Sequence, residues 1–190
     1  MAHNYLELSS LSHEERTVLQ SKCVGGTKYY SDRKWFNPVY EKLVTILGNG
    51  NKSHEKSVRW FLSCTAKALR NKGSGFFFGK HPSWFKDTDQ GIGYTNSVKI
   101  LDELCSKGYI DIWLGYVETW TQCENSSGYR AQTTHPSIVV MKQKYLDLWK
   151  GIDMEEMPAL KKESSVIIRD RQTKEEITLQ GRRGVKEARA

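Results

Sequence analysis

Side chains able to do covalent or metal chemistry occur in this chain, but they are not spaced for it. His81, Cys105, Cys123 and His135 match no zinc-ligand pattern. Gly73-Ser74-Gly75 and Gly91-Ile92-Gly93 are too short to cradle a phosphate, and no Gly-Lys-Ser/Thr follows either. Asp87 and Asp89 flank Thr88 in what reads as a solvated acidic loop. A nuclease or polymerase needs carboxylates clustered on a core strand, and none are legible here. The sequence predicts no catalytic residue, no metal and no cofactor, so an enzyme is not expected unless a catalytic domain lies beyond Ala190. Cys23, Cys64, Cys105 and Cys123 form no Cys-x-x-Cys pair, and Cys64 and Cys105 fall on apolar helical spacings. Buried free thiols are expected.

What the sequence does offer is recognition by hydrogen bonds and charge. Asn96 has one acceptor and two donors on its amide, enough to pair bidentately with adenine in a major groove. Thr95, Ser97 and Lys99 lie on the same opening turns. Thr95 also suits a helix cap, and Tyr94 suits either a phosphate contact or the core. Cations surround this segment. Lys52, Lys56, Arg59 and Arg70 flank or line the preceding helix, and Lys80 and Lys86 lie on the loop between, against Glu55, Asp87 and Asp89. Further along, Thr119, Thr121, Gln122, Asn125 and Arg130 are polar candidates, and a narrow minor groove attracts arginine. The formal net charge of +7 over 190 residues suits a polyanionic partner.

The elements that position these residues can be read from capping and periodicity. Ser12 to Glu15 has the form of a capping box and starts a helix to about Cys23, ended by Val24-Gly25-Gly26-Thr27. Lys28 to Asn37 is an aromatic and basic arm. Pro38 opens a second helix that ends near Gly48, with Leu43, Val44, Ile46 and Leu47 on its apolar side. Ser53 caps a third, to about Asn71, in which Val58, Phe61, Leu62, Thr65, Ala68 and Leu69 recur at helical spacing. Phe76-Phe77-Phe78 reads as a strand and Pro82 to Gly93 as a loop. Thr95 opens a fourth helix with Val98, Leu101, Leu104 and Cys105 inward and Gly108 at its end. Tyr109 to Val117 reads as one strand. Asn125-Ser126-Ser127-Gly128 is a turn tip, and Tyr129 to Thr134 returns as a strand. Val140 to Trp149 reads as a final helix. Val166–Ile168 and Ile177–Leu179 suit a hairpin, followed by a charged tail from Gly181.

This order is that of an α+β winged helix-turn-helix with a long β-hairpin wing, an N-terminal helical arm (1–37), a central domain (38–150) and a C-terminal hairpin and tail (151–190). The run from Gly93 to Ile110, with its Lys107-Gly108-Tyr109-Ile110 exit, resembles the recurrent winged-helix pattern. There the helix enters the major groove and the hairpin is the wing. The stretch from Pro38 to Trp149, with Gly128-Tyr129-Arg130 and Pro136, is similar to N-terminal domains of replication initiators from phages, phage satellites and plasmids. That resemblance implies double-stranded DNA binding, recognition of a replication origin, and a further C-terminal functional domain.

A transcriptional repressor and the DNA-targeting domain of a site-directed nuclease are the rival readings. RNA binding is disfavoured because Phe76-Phe77-Phe78 is apolar throughout and suits burial. A protein-docking wing would use Trp113, Tyr116 and Trp120, which are expected in the core instead. Expected partners are double-stranded DNA, then replication proteins and a second copy of the chain on DNA. No run approaches the ~20 apolar residues of a membrane span, and the start has no signal-peptide core, so a cytoplasmic setting is expected.

Overall fold

The computed structural model describes residues 5–27, 30, 36–48, 54–79, 85 and 92–153, and the backbone alone of 52–53, 165–169 and 176–180. The chain divides into two units, Met1–Met157 and Pro158–Ala190.

The capping box forms as the sequence predicts. Glu15 donates its amide to Ser12 Oγ at 3.2 Å, and Ser12 donates its own to Glu15 Oε2 at 2.9 Å. It starts α1 (His13–Ser21). Helix α2 (Asn37–Leu47) has Pro38 in its first turn, where a missing N–H costs nothing. It ends at Gly48, whose φ of 64° needs glycine and whose N–H donates to the Val44 carbonyl at 2.8 Å. Val39, Leu43 and Leu47 recur every fourth residue and are buried.

Helix α3 (Lys52–Arg70) runs through the core. Val58, Trp60, Phe61, Leu62, Cys64 and Ala68 are buried around much of its circumference. Two of its buried polar side chains reach across the fold to partners. Thr65 Oγ1 meets the Tyr145 hydroxyl at 2.7 Å, and Trp60 Nε1 donates to the Thr27 carbonyl at 2.6 Å. Phe61 packs edge-on to Phe76 and Tyr145. Helix α4 (Tyr94–Ser106) packs on α3 and leads through Gly108 into the sheet.

The sheet of this unit is mixed and has five strands, β1 (Leu6–Glu7), β2 (Cys23–Gly25), β3 (Gly75–Phe78), β4 (Ile110–Leu114) and β7 (Ser137–Met141), in the order β1-β4-β7-β3-β2. β7 runs antiparallel to both β3 and β4, while the edges β1 and β2 join parallel to β4 and β3. Between β4 and β7 the chain forms a separate antiparallel ribbon, β5 (Tyr116–Gln122) with β6 (Tyr129–His135). A short α5 (Gln143–Leu146) and a 3₁₀ turn (Asp147–Trp149) follow β7, burying Tyr145 and Trp149. In the second unit, β8 (Ser165–Arg169) pairs antiparallel with β9 (Glu176–Gln180).

Several expectations require correction. Val140 to Trp149 is not one helix. Ile138-Val139-Val140-Met141 belongs to the central strand, whose continuous apolar run is buried except at the partly covered Val140. Tyr109 to Val117 is not one strand but breaks at Gly115. The segment Val24 to Thr27 does more than end a helix, since Cys23–Gly25 is an edge strand. The described part of the expected N-terminal arm, residues 5–27, does not stand apart from the domain, because β1 and β2 complete its sheet. Most of the predicted arm and the loop from Pro82 to Gly91 lie outside the described residues.

Candidate functional site

Helix α4 starts at Gly93, which accepts the Ser97 amide at 3.1 Å and supplies no side-chain cap. Thr95 is therefore not the cap; it sits inside the first turn and is exposed, as is Lys99 one turn on. The buried face is Ser97, Ile100, Leu101 and Leu104, rotated from the predicted one, with Val98 and Cys105 only partly covered. Two candidates change as a result. Ser97 is fully buried, its Oγ donating to Ser57 Oγ at 3.4 Å on α3, so it is a packing residue and not a surface contact. Asn96 is half-buried on the flank of the helix instead of pointing straight outward. Tyr94 is half-buried and packs edge-on to Phe85 at 6.0 Å. The acids of this helix, Asp102 and Glu103, lie in its second half, and Glu103 pairs with Lys107 at 2.7 Å. Its first two turns thus carry one lysine and no acid, which favours an anion.

The predicted cations separate into two kinds. Arg59 is corrected from phosphate clamp to structural cation. Its Nε donates to Glu55 at 3.0 Å, its Nη1 to Asn37 Oδ1 at 3.3 Å, and its guanidinium lies 4.4 Å from the Tyr40 ring centroid. Only 13% of its side chain is accessible, so it holds α2 against α3. Among the described residues, Lys56, Arg70, Lys99 and Arg130 make no hydrogen bond or ion pair and remain available to a ligand. Lys80 and Lys86 lie outside the described residues, and so does the Lys52 side chain.

The β5–β6 ribbon exposes most of its residues, with Tyr116, Val117, Thr121 and His135 partly covered. Its tip closes with the Cys123 amide donating to the Gly128 carbonyl at 2.9 Å. Thr121, Gln122, Asn125 and Arg130 line a shallow hollow of about 300 Å³ together with Cys123 and Glu124. Arg130 and Gln122 are exposed, in keeping with a contact surface. Trp120, expected in the core, is instead 58% exposed, and Tyr129 is 66% exposed. Sequence reasoning missed this pair, because aromatic residues alternating with polar ones on a strand ordinarily signal a half-buried face.

The ribbon's base is anchored by α1. His135 Nε2 lies 2.6 Å from Glu118 Oε2, and Gln20 Nε2 lies 3.0 Å from His135 Nδ1. Donation by Gln20 makes Nδ1 the acceptor and leaves the His135 proton on Nε2, directed at Glu118. Tyr116 stacks on His135 with centroids 4.9 Å apart, and Arg16 lies over Tyr116 and 3.9 Å from Glu118. The His135 hydrogen bond, more than the nearby charges, holds the Glu118 carboxyl below its ordinary 4.5. Neither Arg16 nor His135 was singled out from the sequence as an anchor, because they are more than a hundred residues apart.

Burial raises the Cys64 thiol to about 12 and that of Cys23 to about 11, so both stay protonated at neutral pH. Among the described residues no group of three or more His, Cys, Asp or Glu converges on a point that could hold a metal ion, and no helix is long and apolar enough to cross a membrane. Comparison with protein-family models, with curated proteins and with solved structures returns no match for this chain.

Proposed function

We propose that this chain binds double-stranded DNA in a sequence-specific manner through a winged helix-turn-helix, with α4 as the recognition helix and the β5–β6 ribbon as the wing. One observation carries the reading. A helix whose first turns expose Thr95 and Lys99 leads, through a single sheet strand, into a polar ribbon accessible on both faces. A groove-reading helix followed by a wing has this arrangement. Antiparallel pairing of β3 and β4 with β7 supports it, since that gives the small sheet from which a wing extends. The charge of +7 supports a polyanionic partner.

In this reading Thr95, Asn96 and Lys99 meet base edges, the amides at the start of α4 and Tyr94 approach phosphate, and Lys56 and Arg70 add backbone contacts. Arg130 and Gln122 contact the backbone or minor groove from the wing. The target we propose is the replication origin of a phage, satellite or plasmid, where an initiator would also meet replication proteins. Selection of bound sequences from a random duplex pool tests both levels. Enrichment of a direct repeat is expected; a palindrome would favour a dimeric repressor, and no enrichment would remove sequence-specific binding.

A further inference from the structure

Among the described residues, the exposed large hydrophobic side chains are Leu6, Val18, Trp120 and Tyr129, and both aromatic ones stand on the ribbon. Trp120 lies opposite Ala131, and Gln122 opposite Tyr129. Cross-strand partners, and residues two apart on a strand, share a face. Trp120 and Tyr129 are therefore diagonal neighbours on one face, with only Ala131 and Gln122 between and beside them. Thr121 and Arg130 lie opposite each other on the other face, together with Gln132, whose amide oxygen accepts from Thr121 Oγ1 at 2.8 Å.

We propose that the Trp120–Tyr129 face of the ribbon binds unpaired bases by stacking, so that the chain holds a locally opened strand. The rings sit on a ribbon whose neighbouring side chains are small or polar, which leaves their faces in water. Two rings exposed to this extent offer roughly 200–300 Å² of apolar surface. That falls well short of the ~800 Å² per partner of a stable protein interface. It is ample for one base on each ring. A base inside a duplex is already covered on both sides, so only an unpaired base can present a free face to these rings. Arg130 on the other face supplies a cation for the backbone of a strand that wraps the ribbon, where Glu118 and Glu124 are the carboxylates it must outweigh locally. The proposal rests on the nucleic-acid reading above but not on α4, and the two can be separated by experiment.

The test measures the affinity of the full chain for three probes by fluorescence anisotropy: a paired duplex, the same duplex with an unpaired central bubble, and a single-stranded oligothymidylate. The bubble should bind more tightly than the duplex, and the oligothymidylate should bind measurably. Trp120→Ala with Tyr129→Ala should weaken bubble and oligothymidylate binding by on the order of tenfold or more. It should leave the log–log salt slope unchanged, because stacking releases no counterions. Trp120→Phe and Tyr129→Phe keep a ring and should retain most of the affinity, which separates stacking from a damaged ribbon. Lys99→Ala should weaken duplex binding and spare the oligothymidylate. Three results would each overturn the proposal: no preference for unpaired bases, no effect of the alanine pair, or equal losses in the phenylalanine and alanine variants. If the duplex does not bind but the alanine pair still loses the oligothymidylate, stacking stands and the duplex reading of α4 falls.

Discussion

At the scale of single residues, tertiary packing divides side chains that look alike in the sequence. Lys56 and Arg59 are three residues apart on α3 and were equal candidates for phosphate, yet only Arg59 is tied to Glu55, Asn37 and Tyr40. Arg59→Ala should therefore lower stability by about 1–2 kcal/mol, through lost packing and a lost charge-assisted contact. It should leave the salt slope of DNA binding unchanged. Lys56→Ala should do the reverse, sparing the melting temperature and reducing the slope by about 0.9. Equal slopes in both variants would place the electrostatic face elsewhere. For Asn96→Ala the expectation is a loss of about 1–3 kcal/mol in specific binding with non-specific binding retained. Because Asn96 is half-buried, its melting temperature must be measured on the same preparation. A fall in stability that weakens both binding modes together would make it a packing residue.

At the scale of elements, the decisive feature is how the ribbon leaves the sheet. Gly115 separates β4 from β5, and its N–H donates to Ser137 Oγ at 3.0 Å. A Cβ built at this position would lie 2.1 Å from the His135 carbonyl oxygen and 2.6 Å from the Ser137 nitrogen. These are backbone atoms and cannot step aside. Gly115→Ala should force the strands apart there and cost about 1–3 kcal/mol, read as a lower melting temperature and faster proteolysis within 116–135. The anchor just above it has a pH dependence of known sign. The Glu118 carboxyl is held below 4.5 in the fold, first by its hydrogen bond with His135. Its stabilising contribution is therefore complete above pH 4.5 and disappears as pH falls through the lower, folded value. Protection of the ribbon amides, taken relative to their intrinsic exchange rate at each pH, should fall over that acid range in the wild type. Glu118→Gln should flatten the change, and an unaltered profile would show that another group controls it.

Across the whole molecule, the N-terminal segment belongs to the domain core. β1 and β2 close the two edges of the sheet, Leu8 is fully buried, and the Thr27 carbonyl accepts from Trp60 at the centre. Removing residues 1–27 exposes two sheet edges and leaves a buried indole N–H without its acceptor. Such a truncation should be insoluble or lose its cooperative melting transition. A truncated chain that melts as the full one does would return this segment to the status of an arm.

Local order determined much of this fold by sequence alone. The Ser12–Glu15 cap, the Pro38 start and Gly48 stop of α2, the apolar period of α3, the Phe76–Phe78 strand and the Asn125–Gly128 tip all depend on neighbours within a few residues. Those signals are written in adjacent side chains. What lay beyond them depends on long-range contact. Val140 and Met141 are compatible with helix or strand, and pairing on both sides with β3 and β4 decided for strand. The face of α4 turned far enough to bury Ser97 against Ser57, a partner forty residues away. The edge strands are too short to carry a signal of their own. Trp120 and Tyr129 are hydrophobic in type, and hydrophobic type alone predicts burial. Only the tertiary structure decided otherwise, because burial requires an opposing surface, and the β5–β6 ribbon extends from the sheet with few of its side chains covered.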